Sequence, residues 1–176
     1  MKKIFITLCI AMIGIGAQAQ QKGDIAVGAR LGVNLTKLKI TDWKVNDNTA
    51  QFGFGAFSQF SFTDHWRVGL DLTFHPMHDC VSDIQVSASA HYVFHISDKF
   101  KVYPLAGFIL QFVHYDDYVD GGTRISQDDD TDFGLQLGGG VEYHLTDKWF
   151  LSGEYKFQPG IFGDSHSFMG GIGYIF

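Results

Sequence analysis

Apolar residues recur at every second position in eight segments of this chain. In the first segment, Ile25, Val27, Ala29, Leu31 and Val33 alternate with glycine and polar residues. Strict alternation of this kind predicts a β-strand with two chemically different faces. Most segments are about ten residues long or more, which is enough for a tilted strand to cross a bilayer. The chain is therefore predicted to be all-β, with one apolar and one polar face on each strand.

Three short turns of one kind join pairs of these segments. Each contains Ser or Thr followed by Asp and is closed by a bulky aromatic residue, at 62–66, 96–100 and 145–149. The connections at the opposite strand ends are longer, at 36–50, 75–81, 114–131 and 159–165. Short turns on one side and long loops on the other are typical of barrels of the bacterial outer membrane, which have an even number of strands. We predict an eight-stranded antiparallel up-and-down transmembrane β-barrel.

Alternation alone also fits a soluble barrel of the lipocalin type, whose apolar face surrounds a ligand. Two features of the faces favour the membrane. The polar face mixes glycine, serine and glutamine with both signs of charge, a composition that fills a narrow lumen. The apolar face carries aromatic residues at strand ends, as a girdle at the headgroup level requires. The predicted girdle consists of Trp66, Phe100, Trp149, Tyr174 and Phe176.

The N-terminus is predicted to be a cleaved signal peptide (1–19), which leaves 20–176 as the barrel domain. Lys2 and Lys3 precede an apolar stretch that is too short to span a bilayer, and Ala17-Gln18-Ala19 gives a small-x-small cleavage pattern. The expected location is the cell envelope of a Gram-negative bacterium, in the outer membrane. Without the two lysines, 11 Lys and Arg against 19 Asp and Glu leave a net charge of −8. This charge argues against nucleic-acid binding, which requires a clustered basic face.

Several motifs resemble the outer-membrane β-barrel domain family common in Bacteroidetes. They are the signal ending Ala17-Gln18-Ala19-Gln20, the Thr-Asp-Lys-Trp turn and the terminal Gly173-Tyr174-Ile175-Phe176. In architecture the chain is similar to small barrels of the OmpA/OmpX type. The resemblance implies that Phe176 serves as the signal read by the barrel-assembly machinery. That machinery and periplasmic chaperones are therefore expected partners during biogenesis.

Eight ionisable side chains are predicted to point into the lumen: Arg30, Arg67, Asp71, His91, Lys101, Glu142, Glu154 and Lys156. The interior of an eight-stranded barrel is just wide enough for side chains to fill, and charges confined there must pair or hold water. Arg30 and Glu154 are expected to meet over Gly171 and Gly173 of the strand between them. The predicted function is a scaffold with a plugged lumen that acts through its surface loops. The alternative is a narrow porin-like channel for small solutes.

Two positions break the strand pattern. Phe57 falls on the polar face of the second segment and Ser58 on the apolar face, which predicts a β-bulge there. Pro104 lies inside the fifth segment, where it cannot donate a ladder hydrogen bond. Its position near the turn end of the segment limits the expected disruption.

Two groups of side chains are weak candidates for metal binding. One is Asp128 and Asp130 in the third long connection with Asp132 just after it, and the other is His75, His78 and Cys80 in the second. The aspartates resemble the start of a calcium loop, but Phe133 replaces the required glycine. A solvated acidic loop is favoured over a divalent-cation site that bridges lipopolysaccharide phosphates. The second group lacks a nearby fourth ligand for zinc. No metal or other cofactor is predicted.

No catalytic set is predicted. In Ser165-His166-Ser167 both serines fall on the face opposite His166, whereas a nucleophile must lie within hydrogen-bond reach of its base. The chain is therefore not expected to be an enzyme. Its expected partners in place are outer-membrane lipid, lipopolysaccharide and an extracellular ligand of unknown identity.

Overall fold

The computed structural model describes residues 23–38, 48–78, 81–115, 118–120, 123–125, 130–159 and 163–176. Its strands are β1 (Ile25–Leu38), β2 (Asn48–Ser61), β3 (Trp66–His78), β4 (Val81–Tyr92), β5 (Phe94–His95), β6 (Phe100–Tyr115), β7 (Tyr118–Asp120), β8 (Thr123–Ile125), β9 (Asp130–His144), β10 (Trp149–Pro159) and β11 (Gly163–Ile175). Eight of them form the barrel: β1 to β4, β6 and β9 to β11. β5 continues β4 along β6, and β7 pairs only with β8.

The barrel closes between its first and last strands. β1 pairs with β11 from Ala26 opposite Ile175 to Leu38 opposite Gly163. On the other side of the ring β4 pairs with β6, and all the pairings are antiparallel. Because every barrel strand has two neighbours, the sheet has no free edge. The predicted eight-stranded up-and-down barrel is confirmed.

The three short turns share one hydrogen-bond pattern. In each, the backbone N–H of the closing aromatic residue donates to the hydroxyl of the Ser or Thr three positions earlier. The N–H of Trp66 donates to Thr63 Oγ1 at 2.8 Å, that of Phe100 to Ser97 Oγ at 3.1 Å, and that of Trp149 to Thr146 Oγ1 at 3.0 Å. The hydroxyl thus satisfies a backbone donor that the tight turn leaves outside the ladder.

The two faces of the wall differ as the alternation predicts. Leu137, on the outer face of β9, is 55 % exposed, whereas Gln136 and Glu142 on its inner face are completely buried. Leu70, Val86 and Leu151 are likewise exposed on the outside. An apolar exterior around a polar interior is the reverse of a soluble ligand-binding barrel and matches a wall that faces lipid. In the part of the chain that is described, no helix is long and apolar enough to cross a membrane.

The bulge predicted in β2 is wrong. The pairing of β2 with β1 and with β3 runs through Phe57 without a shift in register. Phe57 points inward and is only 3 % exposed. Gly28 lies directly opposite it on β1, and a Cβ there would overlap the Phe57 ring. A lumen-facing aromatic is accommodated because its neighbour has no side chain.

Pro104 separates β5 from β4. The pairing of β4 with β6 ends at His91 opposite Leu105 and resumes in β5 at Phe94 opposite Val102. Pro104 has no N–H to donate, so the ladder lacks a bond across this gap. Val93, in the gap, is bonded on its other side: its N–H donates to the carbonyl of His65 in the first short turn, at 2.7 Å.

The strands extend further into the long connections than the alternation predicts. β1 continues to Leu38 and β2 begins at Asn48, inside the connection predicted for 36–50. The third long connection contains the β7–β8 hairpin. Backbone pairing therefore persists where the side-chain alternation fades.

Candidate functional site

The lumen contains buried charges of both signs in equal number. Among the described residues, four cationic and four anionic side chains are no more than 6 % exposed: Arg30, Arg67, Lys101 and Lys156, and Asp71, Asp83, Glu142 and Glu154. Seven of these were predicted to face the lumen, and so was His91, which is also buried. Asp83 was not foreseen, and it makes the count of formal charges balance.

A central cluster joins Arg30, Asp71, Glu154 and Lys156. Nη1 of Arg30 lies 2.8 Å from Oδ1 of Asp71 and 2.5 Å from Oε2 of Glu154. Nζ of Lys156 lies 2.8 Å from Oδ2 of Asp71 and 3.3 Å from Oε2 of Glu154. Each cation therefore contacts both carboxylates. These residues come from β1, β3 and β10, so the cluster ties distant parts of the wall together.

A second cluster is built around Arg67. Its guanidinium forms two contacts with Glu142, at 3.0 Å and 2.6 Å, in the forked geometry that suits a carboxylate. Nε of Arg67 donates to Nδ1 of His91 at 3.0 Å. Because Nδ1 accepts a bond, the ring proton of His91 belongs on Nε2, which lies 2.8 Å from the hydroxyl of Ser89. The imidazole is thus a neutral spacer between Arg67 and Ser89.

Tyr103 connects the two clusters. Its hydroxyl donates to Oε1 of Glu154 at 2.8 Å. Its ring centroid lies 4.3 Å from the guanidinium carbon of Arg67 and stacks on His91 at 5.0 Å. This residue was missed in the sequence. The available signal was its place two residues after Lys101 on the inner face of β6, opposite Gly140 on β9.

A third cluster surrounds Asp83, nearer the long loops. Asp83 Oδ1 lies 2.9 Å from Nδ1 of His75, and Oδ2 accepts bonds from the amides of Gln85 and Gln111. His75, a candidate zinc ligand, therefore points into the lumen and contacts a carboxylate. Within the described part of the chain, no three His, Cys, Asp or Glu side chains are grouped to hold a metal ion.

The side chains of most of the other candidate metal ligands lie outside the described residues. Cys80 and Asp128 lie outside the described residues, as do the side chains of His78 and Asp130. Asp132 lies in β9 and is half-buried. Both metal sites therefore remain sequence hypotheses.

An apolar layer lines one side of the lumen, where β2, β1, β11 and β10 are neighbours, on the short-turn side of the central cluster. It consists of Ala26, Phe57, Phe150 and Ile175. The rings of Phe57 and Phe150 lie 6.1 Å apart and reach each other over a pair of opposed glycines on β1 and β11. The guanidinium of Arg30 sits 4.2 Å above the Phe57 ring, which joins this layer to the charges.

Lys101 occupies the short-turn mouth of the lumen. It lies opposite Glu142 in the pairing of β6 with β9. With Arg67 and His95 it borders a hollow of about 10 Å³. That volume is the space of a single water molecule.

Comparison with known proteins identifies this architecture. A family model described as the outer membrane protein beta-barrel domain matches residues 5–176. The chain belongs to this family. Its location is accordingly the outer membrane. Assignment to the Bacteroidetes branch stays a prediction.

Solved barrels of this kind share the fold at low sequence identity. The N-terminal barrel domain of Pseudomonas aeruginosa OprF is 17 % identical with a TM-score of 0.67, covering 89 % of this chain and all of that chain. Neisserial surface protein A is 18 % identical with a TM-score of 0.68, covering 87 % and 99 %. Ail, the attachment invasion locus protein of Yersinia pestis, is 17 % identical with a TM-score of 0.59, covering 89 % and 100 %. No curated protein matches the chain.

The aromatic residues predicted as a girdle lie on the outer surface of this outer-membrane barrel, at the short-turn level. Trp66, Phe100 and Trp149 are exposed there. Trp149 packs edge-on against Tyr174 at 5.0 Å, and Tyr174 against Phe176 at 5.1 Å. The N–H of Phe176 donates to the carbonyl of Ile25, so the last residue is fixed at the closing seam. This placement suits a headgroup-level girdle.

The serines beside His166 are separated from its ring by the wall. Ser165 donates to Oδ1 of Asn34 and Ser167 is buried, both on the inner face. His166 lies on the outer face, where Nδ1 is 2.8 Å from the hydroxyl of Tyr155. No hydrogen bond joins His166 to either serine among the described residues, so the arrangement provides no activated nucleophile.

Proposed function

We propose that this outer-membrane barrel is a non-conducting scaffold whose surface loops, rather than its lumen, carry out its function. The lumen is plugged by its own side chains. In this proposal the protein is not an enzyme, and residues 1–19 are a signal peptide that directs its export and is then cleaved. Its partners are lipopolysaccharide and other outer-membrane lipid, with chaperones and the barrel-assembly machinery during insertion.

The main support is the packing of inward side chains at two successive levels of the lumen. The central charges are each paired within about 3 Å, so no cation or carboxylate among them is left to attract a passing ion. Beneath them the Phe57 and Phe150 rings occupy the side formed by β2, β1, β11 and β10, and the Arg67–Glu142 pair joins β3 to β9 on the other side. A conducting pore would instead need a continuous file of water along charged or polar groups.

The proposed role of the loops is supported by a difference in charge between the lumen and the loops. The buried charges balance, whereas the third long connection carries six aspartates between 114 and 131. Among the structurally similar barrels, Ail is named for attachment, and one of its structures holds a heparin analogue, sucrose octasulfate. The acidic loop of this chain would repel such a polyanion. The ligand of this acidic loop is therefore expected to be cationic.

Single-channel recording tests the proposal. Protein refolded into planar bilayers should give no discrete conductance steps. Combining Phe57→Ala and Phe150→Ala with Arg30→Ala and Glu154→Ala removes side chains at both levels. This variant should raise conductance, which shows that the assay detects an open lumen. Leu151→Ala, on the outer face, should leave the record silent.

One result of the same recordings would contradict the proposal. Discrete steps from the unaltered protein, with an ion selectivity that shifts in Glu154→Gln, would establish a channel. The plugged scaffold would then be wrong.

A further inference from the structure

A shallow apolar groove runs across the outer surface of the barrel where β9, β10, β11 and β1 lie side by side. Gly153 of β10 and Gly170 of β11 are paired and form its floor. Tyr155 and Phe168 form the wall nearer the long loops. The groove is shallow and open along its length, and its lining is mostly apolar.

The two floor glycines are not required by the packing of the barrel. A Cβ added at Gly153 would come no closer than 3.5 Å to another atom, and one at Gly170 no closer than 4.0 Å. By contrast, a Cβ at Gly28 or Gly173 would overlap the ring of Phe57 or Phe150. Inner glycines make room for neighbouring side chains, whereas Gly153 and Gly170 leave a depression in a wall that could hold larger residues.

The groove is continuous with the surface that faces lipid. Leu31 and Val141 flank its floor and belong to the exposed apolar exterior. In an outer-membrane barrel this exterior is in contact with acyl chains. The natural occupant of an apolar depression at this depth is therefore a segment of acyl chain.

One end of the groove is polar. The hydroxyl of Tyr155 lies 2.8 Å from Nδ1 of His166, on the long-loop side of the glycine floor. Nε2 of His166 makes no hydrogen bond with any residue in the described part of the chain. It is available to donate to an oxygen near the head of a lipid whose chain descends toward Gly153. This direction selects the outer leaflet, because outer-membrane barrels have their short turns in the periplasm and their long loops outside the cell.

We infer that the groove is a specific site for lipopolysaccharide. One acyl chain lies on Gly153 and Gly170, and a carbonyl, hydroxyl or phosphate oxygen of the same lipid accepts a hydrogen bond from His166. The inference requires the membrane location of the barrel but is independent of whether the lumen conducts.

The test is to measure lipid retained by the purified, folded protein. Protein extracted from outer membranes in a mild detergent is analysed by native mass spectrometry, with lipid A quantified after hydrolysis. Unaltered protein should keep about one lipopolysaccharide per barrel. Gly153→Leu fills the floor and should lower retention about tenfold, and Gly170→Leu should act in the same way. His166→Phe, which keeps a ring but no donor, should lower it less.

The matched control is Ala88→Leu. Ala88 is exposed on the outer face of β4, on the opposite side of the ring, so the same leucine side chain is placed on ordinary lipid-facing wall. It should retain lipid as the unaltered barrel does. Folding of each variant is monitored by the shift in gel mobility between unheated and heated samples. If Gly153→Leu does not fold, Gly153→Ala and Gly170→Leu carry the test.

Three outcomes would overturn the inference. Equal retention in Gly153→Leu, Gly170→Leu and Ala88→Leu would mean that lipid contacts the wall without a preferred site. Retention of phospholipid with no lipid A would assign a different occupant. Efficient cross-linking of two copies through Gly153→Cys in a Cys80→Ser background would make the groove a contact between barrels.

Discussion

The hydroxyl of Tyr103 donates a hydrogen bond to Glu154 across the lumen, over a distance of 2.8 Å. One residue thereby links the central cluster to the cluster around Arg67, since the same ring stacks on His91. The side chain contributes a hydrogen bond to a buried carboxylate as well as aromatic contact.

Tyr103→Phe should therefore destabilise the barrel while leaving its shape intact. Loss of a hydrogen bond to a charged group costs about 1.5–3 kcal/mol. The free energy of unfolding in lipid vesicles, measured by denaturant titration, should fall by that amount. Tyr143→Phe is the control, because Tyr143 lies exposed on the outer face. Equal effects of the two changes would contradict the role assigned to the Tyr103 hydroxyl.

Glu154→Ala should cost more. It leaves Arg30 and Lys156 with one carboxylate, Asp71, between them, and an uncompensated buried charge costs about 3–5 kcal/mol. Adding Arg30→Ala should recover part of the loss, because Lys156 and Asp71 then remain as a neutral pair. Equilibrium unfolding of both variants gives the coupling energy. Small, additive effects would indicate solvated charges and an open lumen.

Leu137→Arg tests which face meets lipid. A cation placed on the outer face near mid-membrane should lower the free energy of unfolding by about 2–4 kcal/mol. Leu145→Arg is the matched control, because Leu145 lies in a short turn and should cost about 0–1 kcal/mol. Spin labels at Leu137 should also respond to lipid-soluble oxygen more strongly than labels at Glu154. The opposite ranking would mean that the exterior is in water.

Gly173→Val probes the apolar layer. The added side chain would overlap the ring of Phe150, which is completely buried, and such overpacking costs about 1–3 kcal/mol. Combining it with Phe150→Leu should restore part of the stability, because the smaller side chain vacates the space. Thermal unfolding of the two single variants and the double variant measures the coupling. If the two stability changes simply add in the double variant, the side chains at positions 173 and 150 do not compete for the same space.

The direction of most side chains could be predicted from the sequence, because the period of a strand fixes its two faces. That rule placed Arg30, Glu142 and Glu154 in the lumen and Leu137 outside. The barrel itself could be predicted from the repeated short turns, because they set the order of the strands. Phe57 follows the same rule: its place in the strand directs it inward although it is apolar, so β2 needs no bulge.

Arg30 and Glu154 were expected to meet and lie 2.5 Å apart, but most other contacts between inward residues could not be predicted in the same way. These contacts depend on the stagger between neighbouring strands. Backbone pairing sets this stagger, and the sequence of a single strand does not reveal it. Tyr103 reaches Glu154 only because β9, with Gly140 opposite Tyr103, lies between their strands. Asp83 was missed because it lies near the end of a strand, where the alternation gave no clear boundary.

The charge balance of the lumen has a consequence for the timing of assembly. Arg30 and Glu154 are 124 residues apart in the chain, and Asp71 and Lys156 are 85 apart. Neither pair can form within a hairpin, so a partly inserted sheet would carry unmatched charges against hydrocarbon. Long-range contacts of this kind make folding slow. The interior and the ring must therefore be completed together, when the last strand reaches the first.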